Sequence, residues 1–352
     1  MKRRNLIAAA GLATGALIGA EYYLRYRNRM INRDRWFHES YDGSQPYQVF
    51  HNRSGWELVP DYNVAGIRIN QYGFRGEDFS KSKDAEVQRI ICLGDSTTFG
   101  LAGDESPYPY QLQRHLGGME LQSPYQVINA GVEGHSSING LLRLPWLITY
   151  KPDIIIIYLR WSDLWISNPN RYPDLRRKPQ SFWHYGNGHH SRLMMFDTVK
   201  DALGFNGYGP PISSFDLDTF VPTNFEFNMK QIIRTCKKEQ IRTVLVTLPT
   251  LIPSCGDHPS LGKEMLEKLR YPAFFSPGDL DSLKQLYEVY DTTIRTLAYE
   301  EDVDLVDING GFEAYDSCRD QYFLDTRHPN IDGNQLIAQI LAKGLYDRGI
   351  VG

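Results

Sequence analysis

Cysteine is scarce in this chain, with four residues among 352, at positions 92, 236, 255 and 318. Four cysteines are too few for a disulfide scaffold, and their spacing matches no zinc-binding pattern. Histidines cluster at positions 184, 189 and 190, but no carboxylate or cysteine completes a ligand set there at a familiar spacing. We interpret these histidines as solvated loop residues and expect no metal site.

The chain also lacks the glycine patterns that cradle phosphate groups. No turn after an expected strand carries such a loop. The segment Gly94-Asp95-Ser96-Thr97-Thr98 lacks the trailing glycine of a nucleophile elbow, which argues against lipases of that kind. Neither an internal repeat nor a low-complexity tract is present. We therefore expect no nucleotide cofactor, and no other cofactor is indicated.

A positively charged body is absent as well. The net charge is −4, and residues 1–35 hold eight Lys or Arg against two acidic residues, which leaves −10 for the remainder. Because domains that bind nucleic acid usually present a basic face, we expect no nucleic-acid partner.

Long apolar runs are few, and one of them lies at the amino terminus. Leu6 to Ala20 is apolar, follows Lys2-Arg3-Arg4, and reaches 19 residues if it continues through Leu24. This pattern is typical of an export signal or a signal anchor. Ile18 occupies a position where cleavage prefers a small residue, which favours an uncleaved anchor. We expect residues 1–35 to attach the chain to a membrane with the remainder on the exoplasmic or periplasmic side, or to direct secretion if the signal is cleaved.

Short apolar runs alternate with stretches of helical periodicity from residue 89 onward. The expected strands are Ile90–Leu93, Tyr125–Asn129, Ile154–Leu159, Arg242–Leu248 and Asp304–Ile308. The expected helices are Pro107–Leu116, Ser136–Leu147, Pro222–Lys238, Asp279–Tyr299 and Ile331–Tyr346. This alternation predicts an α/β fold in which a mainly parallel sheet of about five strands is covered by helices on both faces.

Two segments show no such periodicity. Residues 36–88 predict an extended amino-terminal segment packed on the main domain, which spans 89–352. Residues 165–221 form a long insertion rich in proline and aromatic residues. Because it follows the carboxyl end of a strand, it should lie near the functional face, and we interpret it as a substrate lid.

The stretch Arg89 to Gly100 places a serine at the end of the first strand of this alternating region. Ser96 would be exposed where open α/β sheets bind ligands, at the start of the next element. Helix amides there can stabilise developing negative charge, so Ser96 is a candidate nucleophile. A plain Gly-Asp-Ser turn is the alternative, since these are common turn residues.

Asp325 and His328 lie three residues apart near the carboxyl terminus, before Pro329. A serine nucleophile needs a general base, and the base needs a partner that fixes its tautomer. One turn of chain could place the carboxylate beside the imidazole, with the other ring nitrogen facing Ser96.

Together these segments resemble the SGNH (GDSL-type) hydrolases over about Arg89 to Gly352. Gly-Asp-Ser matches at Ser96, the glycine block Asn129-Ala130-Gly131-Val132-Glu133-Gly134 matches at Gly134, and Asp-x-x-His matches at Asp325 and His328. The family's Gly-x-Asn-Asp does not match, because the chain has Arg160-Trp161-Ser162-Asp163. The resemblance implies a three-layer, flavodoxin-like sandwich and a membrane-anchored esterase. It also implies catalysis by Ser96, His328 and Asp325, with an oxyanion hole from Ser96, Gly134 and Ser162.

The resemblance leaves the substrate open. An acylated small molecule, lipid or glycan is expected, with a preference for hydrolysis of an acylated cell-envelope substrate. An acyltransferase to an envelope polysaccharide and a non-catalytic carbohydrate-binding relic are the alternatives. The second follows from the departure at Arg160 and Ser162: Arg160 would either crowd the site, which favours the relic, or point outward and pair with an acidic group. Cys255 and Cys318 are expected near the same sheet edge, where a disulfide is possible outside the cytoplasm. The oligomeric state stays open.

Overall fold

The computed structural model describes residues 19–20, 22–23, 47–51, 54–64, 66–100, 103, 105–166, 218–251, 280–315 and 319–352. The membrane anchor predicted over residues 6–24 lies almost wholly outside these ranges. So do most of the insertion expected at 165–221 and both Cys255 and Cys318. Within the described ranges, no helix is both long enough and apolar enough to cross a bilayer.

Five parallel strands form the main sheet. They are β5 (Gln88–Gly94), β6 (Tyr125–Gly131), β7 (Ile154–Tyr158), β8 (Arg242–Val246) and β9 (Asp304–Val306), in the spatial order β6-β5-β7-β8-β9. All five residues of β7 and six of the seven in β5 are buried, as expected for strands covered on both faces. The order reverses beside β5, and such a switch point is where open α/β sheets bind ligands.

Two groups of helices cover the sheet. The described helices are α1 (Ser96–Phe99), α2 (Tyr108–Gly117), α3 (Ser137–Ile148), α4 (Trp161–Ile166), α5 (Thr223–Lys238), α6 (Leu280–Glu300), α7 (Ile308–Tyr315) and α8 (Ile331–Asp347), with a 3-10 turn at Asp320–Tyr322. Helix α2 packs against α8, and α3 packs against α5, which also contacts α6. The predicted three-layer α/β sandwich with a flavodoxin-like sheet is confirmed.

The segment before the main sheet has more regular structure than its sequence predicts. Antiparallel hairpins form between β1 (Gln48–His51) and β2 (Gly55–Leu58), and between β3 (Tyr62–Val64) and β4 (Ile67–Ile69). Arg75 bridges Ile69 on one side and Asn129 of β6 on the other. The sequence predicts an extended segment here but not its pairing into hairpins, because strands of three or four residues are too short to show a period of two.

Candidate active site

Ser96 lies at the carboxyl end of β5, as the first residue of α1. Asp95 caps this helix: its Oδ1 accepts hydrogen bonds from the Thr97 backbone N–H at 2.9 Å and from Thr97 Oγ1 at 2.6 Å. The first N–H groups of a helix have no partner inside the helix. The backbone N–H of Ser96 is thus of the kind that can stabilise a negative charge beside the hydroxyl.

Two glycines allow α1 to lie directly on the strand ends. A Cβ atom at Gly94 would come within 1.9 Å of Thr98 Oγ1 and 2.8 Å of the Tyr158 carbonyl oxygen. A Cβ atom at Gly131 would come within 2.2 Å of the Phe99 backbone nitrogen. Larger residues at either position would push the helix that carries Ser96 away from the sheet.

A chain of hydrogen bonds joins Ser96 to two residues from the far end of the sequence. Ser96 Oγ lies 2.8 Å from His328 Nε2, and His328 Nδ1 lies 2.6 Å from Asp325 Oδ2. The other carboxylate oxygen, Oδ1, accepts hydrogen bonds from the backbone N–H groups of Arg327 and His328, each at 2.9 Å. The structure therefore brings together the three residues that the sequence motifs nominate.

Burial and hydrogen bonds together determine the charge states of His328 and Asp325. Desolvation lowers the pKa of His328 below its usual 6.5 and the nearby Arg327 guanidinium lowers it further, while Asp325 opposes both effects. Burial alone would raise the pKa of Asp325, but hydrogen bonds from the His328 ring and from the two backbone N–H groups outweigh it and hold that pKa below its ordinary value. At neutral pH the imidazole is thus neutral and the carboxylate ionised, so Nδ1–H donates to Asp325 and Nε2 accepts from the serine hydroxyl.

The loop that carries His328 is held at both ends. The Leu324 backbone N–H donates to the His328 carbonyl at 2.8 Å. After Pro329, the side chain of Asn330 caps α8 by accepting from the Gly333 backbone N–H at 2.9 Å. The side chain of Asn334 then links α8 to α2 by accepting from the Tyr108 backbone N–H at 3.2 Å. These contacts fix the imidazole relative to both flanking helices.

Gly134 lies in the short connection between β6 and α3. Its φ of +76° falls in the left-handed region, which favours glycine. A capping box starts α3, in which the Ser136 backbone N–H donates to Asn139 Oδ1 at 2.8 Å. Only His135 separates Gly134 from this cap, so the start of α3 restrains the position of Gly134.

Asp163 connects the start of α3, which follows Gly134, to α4, which contains Ser162. Its carboxylate accepts from the Ser137 backbone N–H at 2.8 Å and from Ser137 Oγ at 2.5 Å. Burial raises the pKa of Asp163 to about 7, against the opposing effect of these hydrogen bonds. Sequence reasoning assigned Asp163 no separate role, although an acidic residue beside the position of the missing asparagine was visible in the motif.

Arg160 neither faces solvent nor engages the serine–histidine pair. Its side chain is buried, with Nη1 2.6 Å from Asp291 Oδ1 and Nη2 donating to the Leu248 carbonyl at 3.0 Å. The guanidinium also lies 4.7 Å from the ring centre of Tyr287. The expectation of an acidic partner is met by Asp291, but the expectation of an outward direction is wrong, because the partner lies on the buried face of α6. Ser162 is itself buried, as the second residue of α4.

Part of the chain is similar to a protein that is named as an esterase. It is 33% identical over 84 residues to Esterase TesA of Pseudomonas aeruginosa, a match that covers 23% of this chain and 41% of that relative, so the chain spans about two fifths of the relative's length.

Solved structures are similar at lower sequence identity. They include the acetylxylan esterase Axe2 of Geobacillus stearothermophilus (16% identity, 73% of this chain and 94% of that chain, TM-score 0.46) and a lipase/acylhydrolase of Enterococcus faecalis (16% identity, 75% and 97%, TM-score 0.44). The model of the GDSL-like lipase/acylhydrolase family matches residues 92–336, well over half of the sequence. The chain therefore belongs to the GDSL-like lipase/acylhydrolase family.

Proposed function

We propose that this protein is a serine ester hydrolase in which Ser96 is the nucleophile, His328 the general base and Asp325 the residue that orients the base. The hydrogen-bond chain Ser96–His328–Asp325 is the observation that carries the proposal. A serine hydroxyl is a weak nucleophile unless an adjacent base removes its proton, and this geometry supplies the base. Membership in a family of lipases and acylhydrolases supports the same chemistry.

In the proposed reaction, Ser96 Oγ forms a bond to the carbonyl carbon of an ester while its proton moves to His328 Nε2. Collapse of the tetrahedral intermediate breaks the ester bond, and the imidazolium returns the proton to the leaving alcohol. A water molecule then attacks the acyl-enzyme with the same base, which releases the acid and restores Ser96. The ionised Asp325 stabilises the imidazolium that forms in each half-reaction.

The negative charge that develops on the carbonyl oxygen of the tetrahedral intermediate needs hydrogen-bond donors. The backbone N–H groups of Ser96 and Gly134 are the proposed donors, supplemented by the hydroxyl of Ser162 where the family pattern has asparagine. A serine hydroxyl can donate one hydrogen bond but reaches less far than an asparagine amide. Turnover should therefore be slow but measurable.

The proposed substrate is an acylated molecule of the cell envelope. The amino-terminal apolar run with its basic flank supports membrane attachment of the chain through residues 1–35, with the hydrolase on the exoplasmic or periplasmic side. The aromatic insertion at 165–221, which follows the strand end beside the site, would contact the substrate. In this organisation residues 36–88 pack on a hydrolase domain spanning 89–352.

The test compares Ser96→Ala with Ser106→Ala on a short p-nitrophenyl ester. Both serines are buried, but Ser106 lies outside the proposed machinery, so it serves as a matched control. We expect Ser96→Ala to lose turnover while Ser106→Ala retains it, both with unchanged circular dichroism. Full activity in Ser96→Ala would contradict the assignment.

A panel of acetylated glycans and of short to long acyl esters then identifies the substrate class. Faster acyl transfer to a sugar acceptor than to water would instead indicate a transferase. Glycan binding without any turnover would indicate a binding protein.

A further inference from the structure

We propose that the amino-terminal hairpins, residues 47–69, position the active site, and that Trp56 and Tyr47 hold the segment Glu133–His135 in the geometry needed for catalysis. We refer to the described residues in this range, 47–51, 54–64 and 66–69, as the clamp. This inference rests on the proposed function, since it assigns the clamp a role in placing the Gly134 amide. It extends the working unit well before Ser96, to a part of the chain that lies outside the matched family region.

The clamp contacts both residues that flank Gly134. The indole Nε1–H of Trp56 donates to the Glu133 carbonyl at 2.8 Å, and the Tyr47 hydroxyl donates to the Glu133 carboxylate. His135 Nε2 lies 3.0 Å from the Trp56 carbonyl oxygen, and the two rings pack edge to face with centres 5.2 Å apart. Burial lowers the pKa of His135 well below its usual value, so the ring is neutral and Nε2–H donates to that carbonyl. Trp56 therefore holds the Glu133–Gly134 peptide group directly and the side chain of His135 on the other side of Gly134.

The clamp also holds the helix that follows Gly134. Asn139 Nδ2 donates to the Ser54 carbonyl at 2.7 Å. Arg143 Nε lies 3.0 Å from Glu57 Oε1, and its Nη1 donates to the Ala130 carbonyl at 2.6 Å. Arg143 is almost fully buried, and a buried cation is stable only when paired. Glu57 of the clamp therefore provides the charge that allows Arg143 to bind the end of β6.

A second set of contacts reaches the helix that carries Ser96. The ring of Tyr47 stacks on Phe99 of α1 with centres 5.8 Å apart, and the guanidinium of Arg75 lies 5.2 Å from the same ring centre. A small apolar cluster, separate from the core of the main sheet, unites the clamp with α1 and the end of β6. Its buried members are Tyr47, Leu58, Tyr62, Ile67, Ile69, Phe99 and Val132.

The clamp therefore contacts the chain next to both proposed oxyanion donors, the backbone N–H groups of Ser96 and Gly134. The amide of Ser96 starts the helix that ends at Phe99, and the amide of Gly134 lies between the two residues bound by Trp56. Their separation determines whether both can reach one oxyanion. A displacement of about 1 Å at a reacting group can cost on the order of a hundredfold in rate. The two N–H groups donate to the oxyanion mainly in the transition state. Loss of their alignment should therefore lower kcat and leave KM nearly unchanged.

The experiment uses Trp56→Phe in the full chain, which removes the indole donor but keeps an aromatic ring. Trp146→Phe is the matched control. Trp146 stacks on Phe74 at 4.8 Å and faces the Arg143 guanidinium at 5.4 Å, contacts that a phenylalanine ring can keep, and none of its described contacts involves Glu133 or His135. We expect Trp56→Phe to lower kcat on the p-nitrophenyl ester by about ten- to a hundredfold with KM within about twofold. We expect Trp146→Phe to retain kcat even if its melting temperature falls as much.

A second pair of variants guards against misfolding. Tyr47→Phe removes only the hydroxyl that donates to Glu133, and Glu133→Ala removes the acceptor, so each variant should lower kcat. Because both remove the same hydrogen bond, the double variant should be no slower than the slower single variant. Glu133→Gln keeps an acceptor for Tyr47 and should restore most of the activity. Additive losses, or no rescue by glutamine, would overturn the role of this contact.

Amide hydrogen exchange separates failure of this inference from failure of the proposed function. Faster exchange of residues 132–136 in Trp56→Phe than in wild type is the expected result. If wild type turns over and Trp56→Phe matches it in kcat, the clamp has no positioning role and the proposed function stands. If the wild-type protein has no esterase activity, the proposed function fails. Unchanged amide exchange of residues 132–136 in Trp56→Phe would then also contradict the claim that Trp56 holds this segment in place.

Discussion

Arg160 Nη1 lies 2.6 Å from Asp291 Oδ1, and both side chains are almost fully enclosed. Asp291 is further bound by Asn309 Nδ2 at 3.0 Å, and Asn309 Oδ1 in turn accepts from Arg319 Nη1 at 2.7 Å. This largely buried chain of polar groups runs from the segment beside Ser162 to Arg319, which directly precedes the 3-10 turn at Asp320–Tyr322. The family's glycine at position 160 is thus replaced by an arginine with its own partner on α6.

Removing one member of this pair should destabilise the protein strongly. We expect Arg160→Met to lower the free energy of unfolding by about 3–5 kcal/mol, because the buried Asp291 loses its counter-ion. The double variant Arg160→Met/Asp291→Leu should recover most of the loss. Arg234→Met is the control, since the Arg234–Glu301 pair has an arginine that is 59% exposed and should contribute at most about 1 kcal/mol. Urea denaturation gives the free energy of unfolding of all three variants. A loss in Arg160→Met no larger than the loss in Arg234→Met would contradict the expectation.

The acid limb of the pH–activity profile should lie below the ordinary histidine value. The proposed mechanism needs a neutral His328, whose pKa is lowered from 6.5 by burial and, secondarily, by Arg327. The logarithm of kcat/KM should therefore fall as pH decreases through a midpoint under 6.5. Arg327→Gln should move this midpoint upward because a positive neighbour is lost, whereas Arg327→Lys should leave it nearly unchanged. A midpoint above 6.5 in wild type would refute the assigned charge state.

Asp163 should make stability decline as pH rises from acid to neutral. Its pKa is raised from 3.8 in the unfolded chain to about 7 in the fold, so the native state holds an extra proton between those values. The free energy of unfolding contributed by this group is therefore greatest below pH 3.8 and is lost as pH rises through about 7. The difference between wild type and Asp163→Asn, measured by urea unfolding across this range, isolates the effect from other groups. A difference independent of pH would show that Asp163 is ionised throughout.

Position 162 should limit turnover. Ser162→Asn restores the amide donor of the family pattern, and we expect it to raise kcat by about tenfold with little change in KM, since one oxyanion donor contributes on the order of a hundred- to a thousandfold elsewhere. Ser162→Ala should lower kcat. Equal rates for serine and alanine would mean that the hydroxyl does not contact the intermediate, and slower turnover in the asparagine variant would mean that this site is built around serine.

The main sheet could be predicted from sequence because its strands are continuous apolar runs, such as Ile154–Tyr158, bounded by turns. The juxtaposition of Ser96, His328 and Asp325 followed from their motif spacing and from the position of parallel strand ends. The partner of Arg160 could not be predicted, because it lies 131 positions away on a helix whose buried face holds many candidates. The hairpins within residues 48–69 could not be predicted either, because strands this short show no clear alternation and their apolar residues pack on Phe99 and Val132, which are distant in the sequence.

The separation of Ser96 and His328 by 232 positions has a consequence for how the chain folds. Ser96 and His328, the proposed nucleophile and base, meet only after the parallel strands between them are paired and α8 has docked on α2. Such long-range contacts form late and slowly compared with local ones. Covalent labelling of the serine by a reactive phosphonate therefore reports the completion of folding, and the recovery of labelling after dilution from denaturant should lag behind the return of helical circular dichroism.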